Sequence, residues 1–183
     1  HQGGRGKSIW DHFSSLKGRI ADGSSGEYAC NHYHAWKEDL NLIQELGTSA
    51  YRFSTAWPRI QPRGKGNFNP EGLQFYSELV DGILARGLEP WLCLNHWDLP
   101  QSLQENGGWT NRDTVMRFVE YGWKVIEELG DRVKHVIPHN EPNVLSILGH
   151  GMGIHAPGLR DAGACFASAH HLNLSHGMAS REL

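Results

Sequence analysis

Residues 133–142 read Val133-Lys134-His135-Val136-Ile137-Pro138-His139-Asn140-Glu141-Pro142. The apolar run at their start predicts a strand over 132–137, and His139 to Pro142 close that strand and open a glycine-rich loop. Parallel β/α proteins keep their chemistry where strands end, so the carboxyl group of Glu141 stands in a functional position. The amide of Asn140 can both donate and accept hydrogen bonds to a substrate hydroxyl. This stretch therefore predicts an active-site rim at the end of a buried strand.

The alternation of strands and helices extends in both directions from this stretch. Further strands are predicted over 49–54 and 89–95, and helices over about 34–46, 70–86, 111–129 and 162–182. Asn69 and Pro70 are typical of a helix start, and Gly87 is typical of a helix end. The order α-β-α-β-α-β-α indicates an α/β protein with a parallel sheet.

The predicted β/α units have a regular length. Arg52, Asn95 and Glu141 mark three strand ends, at intervals of about 45 residues. Eight such units need roughly 350 residues, so this chain of 183 residues holds about three and a half of them. The chain is therefore either a small open α/β sheet or part of a barrel.

Composition excludes several function classes. The net charge is −3, with no basic block and no long acidic run, so neither nucleic acid nor an anionic membrane is an expected partner. No apolar stretch approaches the roughly 20 residues of a membrane span. Cys30, Cys93 and Cys165 are far apart and form no C-x-x-C pair, so we expect buried free thiols in a reducing, cytoplasmic setting and no metal site.

Polar residues at two strand ends need an explanation. Arg52 interrupts an otherwise apolar strand, where an unpaired guanidinium is costly, so it forms either a structural ion pair or part of a site. His96 follows the next strand, and a lone histidine there is usually a satisfied core residue. Its place beside Trp97, on the rim that carries Glu141, favours recognition of a hydroxyl group instead. Of the seven tryptophans, we interpret Trp10, Trp57 and Trp109 as structural.

Seven motifs together resemble the ordered landmarks of glycoside hydrolase family 1, the β-glucosidase family of retaining (β/α)8 barrels. They are Ser8-Ile9-Trp10-Asp11, Tyr51-Arg52-Phe53-Ser54, Trp57-Pro58-Arg59-Ile60, His96-Trp97-Asp98-Leu99-Pro100-Gln101, Gly107-Gly108-Trp109, Asn140-Glu141-Pro142 and His155-Ala156-Pro157-Gly158. The resemblance implies that residues 1–183 are a single partial domain, the amino-terminal half of a TIM barrel with approximately units 2–4 and helix 1.

The resemblance also implies residue roles. Glu141 matches the general acid/base, and Asn140 matches the residue that hydrogen-bonds the sugar 2-hydroxyl. His96 and Trp97 match positions that bind the glycone. Arg52 matches the arginine that keeps the catalytic nucleophile ionised. The implied reaction is retaining hydrolysis of β-linked glucosides or galactosides, without a metal or an organic cofactor.

One departure from the family concerns the second carboxylate. A retaining mechanism needs a nucleophile about 5–5.5 Å from the acid/base. The family carries it in a Glu-Asn-Gly-type motif on a later strand, which this chain lacks. Glu105-Asn106-Gly107-Gly108 has similar letters but is interpreted as part of the loop after Trp97. The family's determinants of the glycone, the aglycone and sugar 6-phosphorylation also lie in the other half.

Another departure lies beside Glu141. Pro138-His139 replaces the usual Thr and apolar residue, and His139 either perturbs the acid/base or faces the neighbouring helices; we favour the helices. Asn140 and Glu141 cannot both face one pocket from an ideal strand, because side chains alternate between its faces. We therefore expect the strand to end or bulge between them, with Pro142 restricting Glu141.

Two further functions stay open for this stretch of sequence. One is a catalytically inactive half-barrel that acts as a sugar-binding or assembly module, pairing with the missing carboxy-terminal half or with itself to cover its sheet edges. The other is a structural fragment without activity.

Overall fold

The computed structural model describes residues 2–27 and 29–183. Three strands are formed, β1 (Ala50–Ser54), β2 (Glu89–Asn95) and β3 (His135–His139). The helices are α1 (Ile9–Ser15), α2 (His32–Glu45), α3 (Trp57–Ile60), α4 (Pro70–Ala85), α5 (Gln101–Gln104), α6 (Asp113–Leu129), α7 (Pro142–Val144) and α8 (Ala162–Glu182). A π-helix, Leu145–Gly151, follows α7, and short 3₁₀ turns lie at Gln2–Gly4 and Gly108–Thr110.

The sheet is parallel, in the order β1-β2-β3. Strands that follow each other in sequence are neighbours in the sheet, and a helix connects each pair, as in β/α units. All three carboxyl ends therefore meet at one edge. This architecture confirms the α/β interpretation of the sequence.

The core lies between the helices and one face of the sheet. Phe53, Leu92 and Leu94 of that face are buried. They pack in one cluster with a stripe of apolar residues on α4 and α6, namely Leu79, Val80, Ile83, Phe118 and Val125. Trp57 and Trp109 are fully buried in the same cluster, which confirms their structural role.

The opposite face of the sheet is open. Arg52, Trp91 and His135 are neighbours in the strand register, and both Arg52 and Trp91 are exposed. The Trp91 ring stacks on His135, with ring centroids 4.3 Å apart, and still exposes 37% of its surface. An open face on a parallel sheet is unusual, because such sheets are normally covered on both sides.

The third strand begins and ends later than predicted. We expected it over 132–137, but the backbone N–H groups of Arg132 and Val133 still donate to Leu129 O, at 3.0 and 2.9 Å, and extend the end of α6. The strand then includes Pro138. Proline cannot donate to a neighbouring strand and is tolerated where a strand lies at an edge, as β3 does among the described strands.

The segment after Glu141 is also not the glycine-rich loop that we expected. It is helical, because Pro142 occupies a first helical position, where proline is favoured, and Leu145 is buried. Gly149 in the π-helix lets the following chain approach closely. A Cβ there would lie 2.5 Å from the carbonyl oxygen of Ala156.

The cysteines are free, as expected, but only Cys93 is buried. Cys30 is exposed and Cys165 is half-buried, so the expectation of burial was wrong for both. Within residues 2–27 and 29–183, no helix is long and apolar enough to cross a membrane. In the same residues, no group of three or more His, Cys, Asp or Glu side chains is arranged to hold a metal ion.

Candidate active site

The backbone of Asn140 joins the ends of two strands. Its N–H donates to Asn95 O at the end of β2, over 2.9 Å. Its carbonyl oxygen accepts a hydrogen bond of 2.9 Å from the indole Nε1 of Trp97. The residue after β3 is therefore fixed against the loop that follows β2.

The side chain of Asn140 connects three more of the sequence-predicted residues. Its Oδ1 accepts from Arg52 Nη2 at 2.8 Å. Its Nδ2 donates to His96 Nε2 at 3.0 Å and to Glu141 Oε2 at 3.3 Å. All five predicted site residues thus lie in one hydrogen-bonded network, which we call the Asn140 network (Arg52, His96, Trp97, Asn140 and Glu141).

The hydrogen-bond partners of Asn140 determine which ring nitrogen of His96 carries the proton. Arginine has donors only, so the amide oxygen of Asn140 faces Arg52 and the amide nitrogen faces His96. His96 Nε2 must then be an acceptor, and Nδ1–H donates to Ser54 Oγ over 3.2 Å. Burial and the Arg52 charge lower the pKa of His96, against the opposing effect of Glu141. His96 is therefore a neutral ring, whose Nε2 accepts from Asn140 and whose Nδ1–H donates to Ser54.

Two backbone residues of the network have left-handed conformations. Trp97 has φ 75° and Glu141 has φ 43°, a region that non-glycine residues rarely adopt and that is often found at functional sites. We expected the strand to end between Asn140 and Glu141, but it ends earlier, at His139. The left-handed turn at Glu141 brings its carboxylate next to the Asn140 amide, which an extended conformation before proline would not do.

The network is open to solvent on one side. Arg52, His96 and Glu141 are exposed, whereas Trp97 and Asn140 are half-buried. Among the described residues, no carboxylate lies within ion-pair distance of Arg52, which contradicts the structural ion pair considered from sequence. Glu141 is the one carboxylate that the described residues bring into this network. Most of the guanidinium donors of Arg52 are thus available to a further acceptor.

A cavity of about 370 Å³ opens beside the network, next to β1. Arg52, Ser54 and His96 contribute to its lining, together with aromatic side chains of α2 and α4 such as Tyr33 and Phe75. The cavity therefore reaches the polar rim from the free edge of β1.

Sequence reasoning missed two neighbours of the network. Ser54 lies two positions after Arg52 on β1, and the period of two along a strand is the signal that places it on the same face. His155 packs against the Trp97 ring at 5.4 Å and against Trp10 at 5.5 Å. It belongs to a motif noted in the sequence, but its contact with Trp97 depends on the fold of the segment after the π-helix.

Asp98 follows Trp97 and is the most strongly perturbed carboxyl group near the rim. Its Oδ1 is buried without a hydrogen-bond partner among the described residues. Burial raises its pKa to about 7, and the charge of Arg5 opposes this effect. Asp98 belongs to the same loop as His96 and Trp97.

Glu105 is followed by Asn106 and Gly107, as in the family's Glu-Asn-Gly motif. It caps the carboxyl end of α5 and leads into a turn at Asn106 and Gly107. It is exposed and has no contact with the Asn140 network. This placement agrees with its interpretation as part of the loop after Trp97.

Comparisons with known proteins agree with this architecture. The sequence profile described as glycosyl hydrolase family 1 matches residues 1–183. β-Glucosidase A of Acetivibrio thermocellus is 50% identical over 179 residues, which are 98% of this chain and 40% of that protein. A family 1 β-glucosidase from Thermotoga maritima superposes with a TM-score of 0.98 at 46% identity, over 99% of this chain and 42% of the other. Its complex with glucoimidazole superposes equally well, at 46% identity, over 99% of this chain and 41% of the other.

The coverages show how much of this chain and how much of each relative take part in the match. The chain spans about 40% of the length of the relatives it matches, and nearly all of it superposes on them. The three β/α units are thus part of a (β/α)8 barrel rather than a small open sheet. With the profile covering every residue, the chain belongs to glycosyl hydrolase family 1.

Proposed function

We propose that this chain is the acid/base half of a retaining β-glycosidase, with Glu141 as general acid/base and the nucleophile supplied by sequence outside it. The observation that carries the proposal is the Asn140 side chain, which bonds Arg52, His96 and Glu141 at once. Residues 1–183 form a single partial domain in this proposal, and the carboxy-terminal half of the barrel is its partner.

Each member of the network has a chemical task in this reaction. Glu141 protonates the leaving glycosidic oxygen and then takes a proton from the attacking water. In this proposal the Asn140 amide exchanges its longer contact, 3.3 Å to Glu141, for a sugar hydroxyl next to the reacting carbon. Arg52 has unused N–H donors on the open face, which suit the bidentate binding of an ionised nucleophile.

The substrate class follows from the relatives. A β-glucosidase from Thermotoga maritima forms a complex with glucoimidazole, and its structure matches this chain with the same TM-score as the family 1 β-glucosidase. In this proposal exposed His96 binds a sugar hydroxyl in exchange for its 3.2 Å contact with Ser54, and the Trp97 indole packs on the C–H face of the sugar. We therefore propose β-linked glucosides or galactosides as substrates and no cofactor. The three free cysteines favour a cytoplasmic location.

The chain by itself supports a second function, a sugar-binding or assembly module. The observation that favours it is the single carboxylate of the Asn140 network, because a retaining reaction needs two. The open sheet face around Trp91 is suited to an assembly partner or to self-association.

A leaving-group series tests the proposed enzyme. The protein for this test is the complemented barrel, meaning this chain joined in one polypeptide to all the remaining parts of a family 1 barrel. Glu141→Gln should cause a large loss of kcat for β-glucosides with poor leaving groups and a small loss in glycosylation for activated aryl glycosides, which need little acid assistance. Azide should restore turnover of the activated substrates, because a small anion needs no general base.

Glu105→Gln is the matched control, since Glu105 is an exposed carboxylate outside the network. It should leave the whole series unchanged. Equal losses across all leaving groups in Glu141→Gln would contradict the acid/base role.

A further inference from the structure

His139 is a buried polar residue directly before the candidate site. It is 7% exposed, and its ring stacks on Phe118 of α6 with centroids 4.4 Å apart. Trp109 meets the same ring edge-on at 5.4 Å. The favoured interpretation from sequence, that His139 faces the neighbouring helices, is confirmed. Its ring is therefore fixed in place by aromatic contacts on two sides.

Both ring nitrogens of His139 have partners. Ser175 of α8 donates its hydroxyl proton to Leu172 O at 2.9 Å, so its oxygen accepts from His139 Nε2–H at 2.8 Å. His139 Nδ1 then holds a lone pair and accepts from Asn95 Nδ2 at 3.1 Å. We call Asn95, His139 and Ser175 the buried cluster. With the Ser175 proton on Leu172 O, the donor and acceptor of the other two contacts follow, so the cluster specifies the ring orientation as well as its position.

The buried cluster continues into the Asn140 network through the backbone. Asn95 holds the end of β3 twice, by its side chain to His139 and by its carbonyl oxygen to the N–H of Asn140. Asn140 in turn bonds Glu141 through its side chain. A displacement of His139 must therefore move both residues that the proposed reaction uses.

We propose that His139 is a positioning residue, which with Asn95 and Ser175 ties the end of β3 to β2 and to α8 and so sets the placement of Asn140 and Glu141. This inference rests on the proposed function for its effect on turnover. The hydrogen bond from His139 to Ser175 makes α8 part of the active-site support, and no motif in the sequence indicates this link.

Two serines of α8 provide a matched test in the complemented barrel. Ser175 and Ser168 are both fully buried, and each donates to the carbonyl oxygen three residues earlier at 2.9 Å. Only Ser175 also accepts from a histidine, and Ser168 bonds none among the described residues. Ser175→Ala and Ser168→Ala thus lose the same intrahelical bond, but only the first leaves His139 Nε2–H without its acceptor.

Misplaced catalytic groups lower turnover more than binding. Ser175→Ala should reduce kcat for a β-glucoside with a poor leaving group by about 10- to 100-fold with KM nearly unchanged. The loss for an activated aryl glycoside should be smaller, because Glu141 contributes less there. Ser168→Ala should leave kcat and the leaving-group dependence unchanged. Equal kcat values in the two variants would overturn the inference.

A second readout does not depend on turnover. With ¹⁵N-labelled asparagine, the side-chain amide resonances of Asn140 should shift in Ser175→Ala and stay in place in Ser168→Ala. Unshifted resonances in both variants would contradict the positioning role. If Glu141→Gln has no effect on turnover, the proposed function fails, whereas the amide shifts still decide the inference. If Glu141→Gln shows the expected loss for poor leaving groups and the two serine variants behave alike, only the inference fails.

Discussion

At the scale of single residues, Asn140 organises the candidate site. Its side chain uses the amide oxygen and both amide protons, and so links the strand β1, the loop after β2 and the start of α7. An amide is the side chain that can do this, because it both accepts from a guanidinium and donates to a carboxylate and a neutral ring. The left-handed backbone of Glu141 explains why the side chains of Asn140 and Glu141 lie together, although successive side chains of a strand point to opposite faces.

Replacement of this amide should affect turnover far more than folding. Asn140→Ala in the complemented barrel should lower kcat/KM for an aryl β-glucoside by about 10²- to 10³-fold, the usual effect of removing one transition-state donor. Asn173→Ala is the control, because Asn173 is exposed on α8 and bonds only the carbonyl oxygen of Ala169 among the described residues. Similar kcat/KM values for the two variants would contradict the role of Asn140.

The titration of His139 should make stability depend on pH. Burial and the nearby His176 charge lower the pKa of His139 to about 3, below its ordinary value of 6.5. The unfolded chain then binds the proton at higher pH than the folded one, so the free energy of unfolding falls as the pH drops from 6.5 towards 3. Between pH 7.5 and pH 5 this loss should be about 2 kcal/mol.

Urea unfolding of the complemented barrel at several pH values measures this loss. His139→Phe, which keeps an aromatic ring against Phe118, should remove that part of the pH dependence. His171→Phe should keep it, because His171 lies on α8 and, among the described residues, hydrogen-bonds only the carbonyl oxygen of Trp109. An unchanged pH dependence in His139→Phe would show that the ring does not titrate as expected.

At the scale of elements, two helical glycines with opposite surroundings test the packing. A Cβ on Gly72 of α4 would lie 2.2 Å from the carbonyl oxygen of Arg59, so Gly72→Ala should destabilise the barrel by about 1–3 kcal/mol. Gly177 of α8 has no atom within 4 Å of its Cβ position. Gly177→Ala should therefore stabilise the protein by about 0.5–1 kcal/mol, through the higher helix propensity of alanine. Thermal unfolding of both variants checks the signs, and a neutral Gly72→Ala would show that α3 and α4 are not in close contact.

The predicted elements differ in accuracy for physical reasons. The strand from Glu89 to Asn95 and the helix from Ala162 to Glu182 were predicted with correct bounds; an apolar run after Gly87 defines the strand, and Asp161 caps the start of the helix. The start of β3 was wrong, because Val133 is apolar yet its N–H bonds the end of α6. The π-helix was missed, since its hydrogen-bond pattern has no counterpart in apolar periodicity.

The candidate site also has features that the sequence predicted and features that it did not. Strand ends predicted which residues lie on the rim, and all five of them meet in the Asn140 network. The left-handed backbone at Trp97 and Glu141 and the contact with His155 were not predicted. These features depend on tertiary contacts between segments that are distant in sequence.

At the scale of the whole molecule, the described residues leave surface that a complete barrel would cover. Within the described part, β1 and β3 each pair along one edge, and Trp91 is exposed on the uncovered face. The chain spans about 40% of the length of its relatives, and the open face carries the unused donors of Arg52. The proposed nucleophile belongs on that side, opposite Glu141, in the segment that closes the barrel.

Turnover by the chain with and without the rest of the barrel tests the central claim most directly. Highly purified 183-residue chain should show negligible hydrolysis of an aryl β-glucoside, because Glu141 lacks a nucleophilic partner. The complemented barrel should hydrolyse the same substrate, and its Glu141→Gln variant should lose activity towards β-glucosides with poor leaving groups. Activity in the isolated chain that co-purifies with it and disappears in Glu141→Gln would contradict the account, since a second carboxylate of this chain would then serve as nucleophile.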